Sequence, residues 1–148
     1  FRFFNVYGPK QDPTNPYSGV ISIFINNLFN NNTVTVNGGL QTRDFVFVED
    51  VVETLSSSMD YLSMNSAFDV FNVGTGVSIN INVLLDKISS ILKVTPDISL
   101  KPLPKGDPEV SIGVYKKIKK KLKIDVSNFI SLDEGLKKTI KYFKGINN

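Results

Sequence analysis

A few residues could do chemistry by type and spacing. Gly74-Thr75-Gly76 follows the apolar run Asp69-Val-Phe-Asn-Val73 and precedes a helical pattern. A glycine pair between strand and helix can cradle a dinucleotide pyrophosphate on backbone amides. The full fingerprint needs a third glycine at 79, where Ile79 stands, and no acidic residue closes a second βα unit. A tight strand-to-helix turn is the better reading. Tyr115-Lys-Lys-Ile-Lys119 puts a phenol and an ammonium on one helical face, a pairing that lowers a tyrosine pKa for general-base work. Six lysines crowd residues 116–123, however, and Tyr115, Ile118 and Leu122 form an apolar stripe. Tyr115 therefore reads as a core contact.

Arginine is scarce: Arg2 and Arg43 stand against 15 lysines. Arg43 follows the Gly38-Gly39 turn and opens an apolar strand. It is either a bidentate phosphate ligand or the partner of Asp44 or Glu49 in an ion pair. Asn5 lies inside an apolar strand, where a buried amide needs partners. It either satisfies the turn that follows or points at a ligand beyond the strand's C-terminal end, where open α/β sheets bind. The lysine run has no aromatic interleaving and no arginine, so it reads as a solvated helix face rather than a nucleic-acid or membrane patch.

Composition narrows the chemistry further. The 148 residues contain no cysteine and no histidine, so disulfides, thiol catalysis and Ser-His-Asp catalysis are excluded. The commonest transition-metal ligands are missing too, and no metal site is expected. What remains is carboxylates, Lys, Tyr, Ser/Thr, backbone groups or a borrowed cofactor. Apolar residues make up 41% and charged residues 21%, a globular balance. The net charge of +3 is uneven, because residues 101–148 carry 12 basic and 5 acidic groups. No apolar run approaches the roughly 18 residues of a membrane span, and no signal-peptide pattern opens the sequence. A cytoplasmic protein is the expectation. Phe1 stands where a Met would begin a chain, which points to a processed product or a fragment.

The elements that must position these residues alternate. Phe1–Val6 reads as a buried strand, residues 8–19 as loop, and 18–30 as an amphipathic helix. Thr33–Asn37 alternates as a strand, Arg43–Val48 is extended, and 49–62 is helical. Asp69–Val73 is a strand, and a helix over about 80–93 follows with Ser78 or Asn80 as its cap. Ile98–Pro102 is an edge strand, Lys101–Asp107 a loop and Tyr115–Lys123 a short helix. A capping box at Ser131–Glu134 starts the last helix. The class is α/β. Its first strand, apolar throughout, calls for neighbours on both sides.

Six stretches in register resemble one family. They are Arg2-Phe-Phe-Asn-Val-Tyr-Gly-Pro9 with Gln11, Pro16–Phe24, Gln41–Val48 with Asp50-Val51-Val52, Phe71–Gly76, Lys105-Gly-Asp107 and Leu132–Leu136. The chain resembles the nucleotide-sugar epimerases and dehydratases, which are extended short-chain dehydrogenases/reductases, and most of all their UDP-sugar 4-epimerase branch. The likeness covers their C-terminal half: the last strands of a Rossmann-type sheet plus a small α/β substrate-binding domain, residues 1–148 here. The NAD-binding half, with its glycine-rich loop and catalytic Tyr-x-x-x-Lys, is absent, so no catalytic residue is expected in this chain.

The resemblance implies NAD as cofactor and a UDP-sugar as substrate, interconverted for cell-surface polysaccharide. It implies a homodimer, with neither nucleic acid nor membrane as partner. By position, Asn5 and Arg43 would contact the diphosphate. Val20 would open the helix whose amides approach it. Val36 and Asn37 would wrap the base, Asp107 would hold the ribose hydroxyls, and Phe3 would lie near the nicotinamide. The family's arginine three residues before that acid is Pro104 here, with Lys105 one place later, and its Ala-Asp before the next helix is Gly113-Val114. A 4,6-dehydratase or decarboxylase of the same family, or a non-catalytic nucleotide-binding module, are the alternatives.

Overall fold

The computed structural model describes residues 1–15, 17–64 and 68–146; Pro16, read above as loop, lies outside them. The chain runs β1 (Arg2–Phe3), β2 (Asn5–Tyr7), α1 (Val20–Phe29), β3 (Val34–Asn37), β4 (Thr42–Arg43), β5 (Phe45–Phe47) and α2 (Val48–Met64). It continues with β6 (Asn72–Val73), β7 (Ile79–Asn80), α3 (Ile81–Leu92), β8 (Ile98–Lys101), α4 (Lys116–Leu122), a 3-10 turn (Val126–Asn128) and α5 (Leu132–Ile146). The α/β class holds.

The opening strand is two strands. β1 pairs in parallel with β6 and β2 in parallel with β5. The switch falls at Phe4 and Asn5, whose amides donate to Val73 and Asp44 carbonyls respectively. Burial of the first three residues, expected from their apolar character, is not found. Phe1 and Phe3 are 42% and 48% exposed, because among the described residues β1 is paired on one side only. β3 and β8 form a separate parallel pair with β8 at its edge, in keeping with Pro102 just beyond it. β7 has only two residues, too few for a periodicity to register. It runs antiparallel to β4, with Arg43 opposite Ile79.

The main core gathers Tyr7, Phe24, Ile25, Val34, Val36, Phe45, Phe47, Leu84, Ile88, Leu136 and Ile140 between α1, α3, α5 and the strands. A smaller cluster joins Phe71, Ile118, Leu122 and Val126, with Tyr115 and Tyr61 against it. Tyr115 is thus the packing residue its apolar stripe implies. Lys117 of the same helix bonds the Asp69 carboxylate and lies 5.2 Å from the Phe71 ring centre, and Lys119 pairs with Asp125.

The glycine that follows the capping box is a packing residue. A Cβ on Gly135 would strike the Tyr7 hydroxyl and come within 2.9 Å of the Phe47 ring. Gly135→Ala ordinarily gains up to about 1 kcal/mol of helix propensity. Here overpacking of about 1–3 kcal/mol opposes it, so the melting temperature should fall. A rise would mean that α5 can slide away from β2.

Asp50, in the first turn of α2, is buried, and both its oxygens accept from the Ile130 amide at 3.2 and 3.1 Å. Burial pushes its carboxyl up to about 6, against the pull of that bond, and Glu53 and Glu49 add to the rise. A carboxyl raised in the folded state binds more protons folded than unfolded between its two pKa values. Its contribution to stability is therefore greatest below pH 4 and declines as the pH climbs to about 6. The melting temperature of Asp50→Asn, measured relative to the wild type, should rise across that window. A difference that stays flat with pH would remove Asp50 as the cause.

Candidate nucleotide-sugar cleft

The residues singled out in the sequence come from distant parts of the chain, and local structure decides which of them meet. Asn80 starts α3 by accepting from the Asn82 and Val83 amides. Its side-chain amide donates to the Leu40 carbonyl at 3.0 Å. The Ile81 and Asn82 amides then bond the Gln41 and Gly39 carbonyls. These contacts fold residues 37–41 over the start of α3. Gly38 and Gly39 turn at φ 72° and 95°, a left-handed region that favours glycine. Gln41 closes the turn from inside: its Oε1 accepts from the Gly39 amide at 2.7 Å and its Nε2 donates to the Asn37 carbonyl at 2.6 Å.

β4 emerges from that turn and carries Arg43. Thr42 bonds the Glu109 carbonyl through its amide and the Ser111 amide through its carbonyl, at 2.8 and 3.1 Å. The loop after β8 is thereby pinned beside Arg43. The guanidinium donates to the Thr42 carbonyl at 2.9 Å, to the Pro108 carbonyl at 2.7 Å and to the Asp107 carboxylate. Arg43 is thus ion-paired, but with Asp107 rather than with Asp44 or Glu49, the two partners its neighbourhood suggested.

Asn5, Val20, Asn37, Arg43 and Asp107 line one cleft of about 360 Å³, with Thr35, Gln41 and Ile81 among its other walls. Asn5 reaches it from the end of the Phe4 switch. Its Nδ2 donates to the Asp44 carbonyl at 2.9 Å, so the amide ties β2 to β5 rather than satisfying the turn after it. Val20 is the first residue of α1. That helix begins at Gly19 with no side-chain cap and no acidic residue in its first turn. Its amide ends and positive dipole end at the cleft wall, an arrangement that favours an anion.

Val36 and Phe3 do not join them. β3 alternates, so Thr35 and Asn37 face the cleft while Val36 is 1% exposed in the core. The Val36 side chain packs in that core. Phe3 stacks on Phe1, ring centres 5.9 Å apart, and is not among the residues that line the cleft.

Sequence reasoning missed Asp44. It is fully buried. Its Oδ1 accepts from the Thr75 amide at 2.9 Å and the Thr75 hydroxyl at 2.6 Å, and its Oδ2 from the Gly76 and Gly113 amides at 2.8 and 2.9 Å. Gly74-Thr75-Gly76 is an anion nest, but its anion is internal. The Thr75 and Gly76 amides that a cofactor pyrophosphate would need are occupied, so these residues do not fit that part of NAD. An aspartate directly before the apolar run Phe45–Val48 was the available signal.

Residues 1–74 match the NAD dependent epimerase/dehydratase family. The chain belongs to that family. Among its relatives, the UDP-glucose 4-epimerase of Mycolicibacterium smegmatis is 32% identical over 141 residues, 95% of this chain and 43% of that protein. The UDP-N-acetyl-alpha-D-glucosaminuronate decarboxylase of Bacillus cytotoxicus is 32% identical over 152 residues, 99% of this chain and 46% of that protein. The crystal structure of UDP-glucose 4-epimerase from Thermotoga maritima with UDP-glucose superposes with a TM-score of 0.89 at 36% identity, covering 99% of this chain and 46% of that one. The chain spans under half the length of the relatives it matches. No helix among the described residues is long and apolar enough to cross a membrane.

Proposed function

We propose that this chain is the substrate-binding portion of an NAD-dependent UDP-sugar 4-epimerase, and that its cleft holds the nucleoside diphosphate. The observation that carries the reading is the meeting of Arg43, Asn5, Asn37, Asp107 and the uncapped start of α1 on one cleft. A guanidinium and a helix N-terminus form a diphosphate site. Asp107 suits a pair of ribose hydroxyls, and Asn37 suits a base edge. Held by its nucleotide, the sugar would remain free to turn over between two hydride transfers, so that remote binding energy positions the reacting carbon. NAD, when bound, supplies the hydride acceptor and donor. The base that takes the sugar hydroxyl proton would be a tyrosine outside these 148 residues. The homodimer and the cytoplasmic setting belong to the same proposal.

The test uses the full-length protein and proton NMR. Incubation with UDP-glucose or UDP-N-acetylglucosamine should give a mixture of the two C4 epimers with no net oxidation. The Bacillus cytotoxicus relative makes decarboxylation of a UDP-uronic acid the second reading. Loss of the carboxylate from such a substrate, without epimerisation of the neutral sugars, would select it.

A further inference from the structure

We infer that Asp107 is a specificity residue that competes with phosphate for Arg43, so that the cleft selects nucleoside diphosphates over bare phosphates. The inference rests on the cleft being a nucleotide-sugar site. Arg43 and Asp107 are the two groups that the proposed ligand would engage separately, yet here they engage each other. The chain's only other arginine is Arg2, on β1. A phosphate that takes the arginine of this cleft therefore binds a guanidinium that already has three acceptors.

Only one of those acceptors can leave. The carbonyls of Thr42 and Pro108 are fixed by β4 and by the bonds that tie residues 109–111 to Thr42. Asp107 instead ends a turn, with its amide on the Pro104 carbonyl at 3.1 Å. The residue before it, Gly106, has φ 92° and open space around it. The Arg43 side chain is 11% exposed and that of Asp107 36%, so the pair is sheltered enough to matter and open enough to exchange.

The two ligand classes differ in what they offer the displaced carboxylate. A ribose brings two hydroxyl donors beside its diphosphate, so Asp107 exchanges one set of donors for another. Inorganic pyrophosphate brings no donor and adds like charge. It must leave Asp107 unpaired beside it, a repulsive device against the wrong ligand.

Calorimetric titration of the full-length protein with UDP and, separately, with inorganic pyrophosphate tests this in the wild type, Asp107→Asn and Asp107→Ala. Pyrophosphate should bind about tenfold tighter in Asp107→Ala, the size of one charge-assisted hydrogen bond. UDP should weaken, so its preference over pyrophosphate should collapse from both sides. Asp107→Asn keeps the shape and loses the charge, and should move pyrophosphate the same way by less. Asp107 lies on an exposed loop, so unchanged melting temperatures will show that the fold is intact. Unchanged or weaker pyrophosphate binding in both variants overturns the inference, while UDP binding that still depends on Arg43 leaves the cleft reading standing. Wild-type protein that binds neither UDP nor a UDP-sugar overturns both.

Discussion

Asp44→Ala should cost on the order of 3–5 kcal/mol, because several donors lose a buried acceptor at once and each group left unsatisfied costs about 1–3 kcal/mol. With total stabilities of about 5–15 kcal/mol, that leaves a protein near its folding limit. The four donors that Asp44 satisfies lie 31 to 69 residues away in sequence. They belong to the turn after β6 and to the segment before α4. Without the carboxylate, the Thr75, Gly76 and Gly113 amides lose their shared acceptor beside the Phe4 ring, which lies 3.2 Å from a Cβ placed on Gly74 and 3.3 Å from one placed on Gly113. Asp44→Asn separates shape from charge. Its amide group would direct N–H donors at N–H donors, so it should be nearly as damaging as alanine despite its size. Chemical denaturation of the three proteins decides the matter. An asparagine variant within about 1 kcal/mol of the wild type would mean that packing, not the acceptor set, holds the turn.

That network also explains what the sequence could and could not reveal. Helices α3 and α5 were legible because each carries an apolar stripe longer than two turns and a recognisable start, Asn80 for the one and the Ser131–Glu134 box for the other. The strands were less so. Residues 1–6 look like one buried strand, but the register breaks at Phe4, where the partner changes from β6 to β5. Nothing local marks that exchange. β7 was invisible because two residues have no period. Of the residues carried over by resemblance, Asn5, Val20, Asn37, Arg43 and Asp107 meet at one cleft. Val36 does not, since strand alternation places neighbours on opposite faces. Asp44 was missed because its partners are backbone amides, and an amide's direction is set by the fold rather than by residue type.

Arg43→Ala should weaken UDP and UDP-sugar binding by about 1.5–3 kcal/mol, roughly 10- to 150-fold. Two effects act in the same direction. The variant loses the bidentate fork, and Lys105, two residues before Asp107 in the sequence, cannot replace it, because an ammonium is a point charge without the planar geometry. It also strips Asp107 of its partner, leaving a bare carboxylate where phosphates should sit. Arg43→Lys should recover only part of the loss, because charge returns and the fork does not. The double variant Arg43→Ala with Asp107→Ala separates the two effects. If repulsion by Asp107 contributes, pyrophosphate binding in the double variant should exceed that in Arg43→Ala alone. Equal affinities would assign the whole loss to the missing fork, and an Arg43→Ala protein that binds UDP as tightly as the wild type would move the diphosphate to another site.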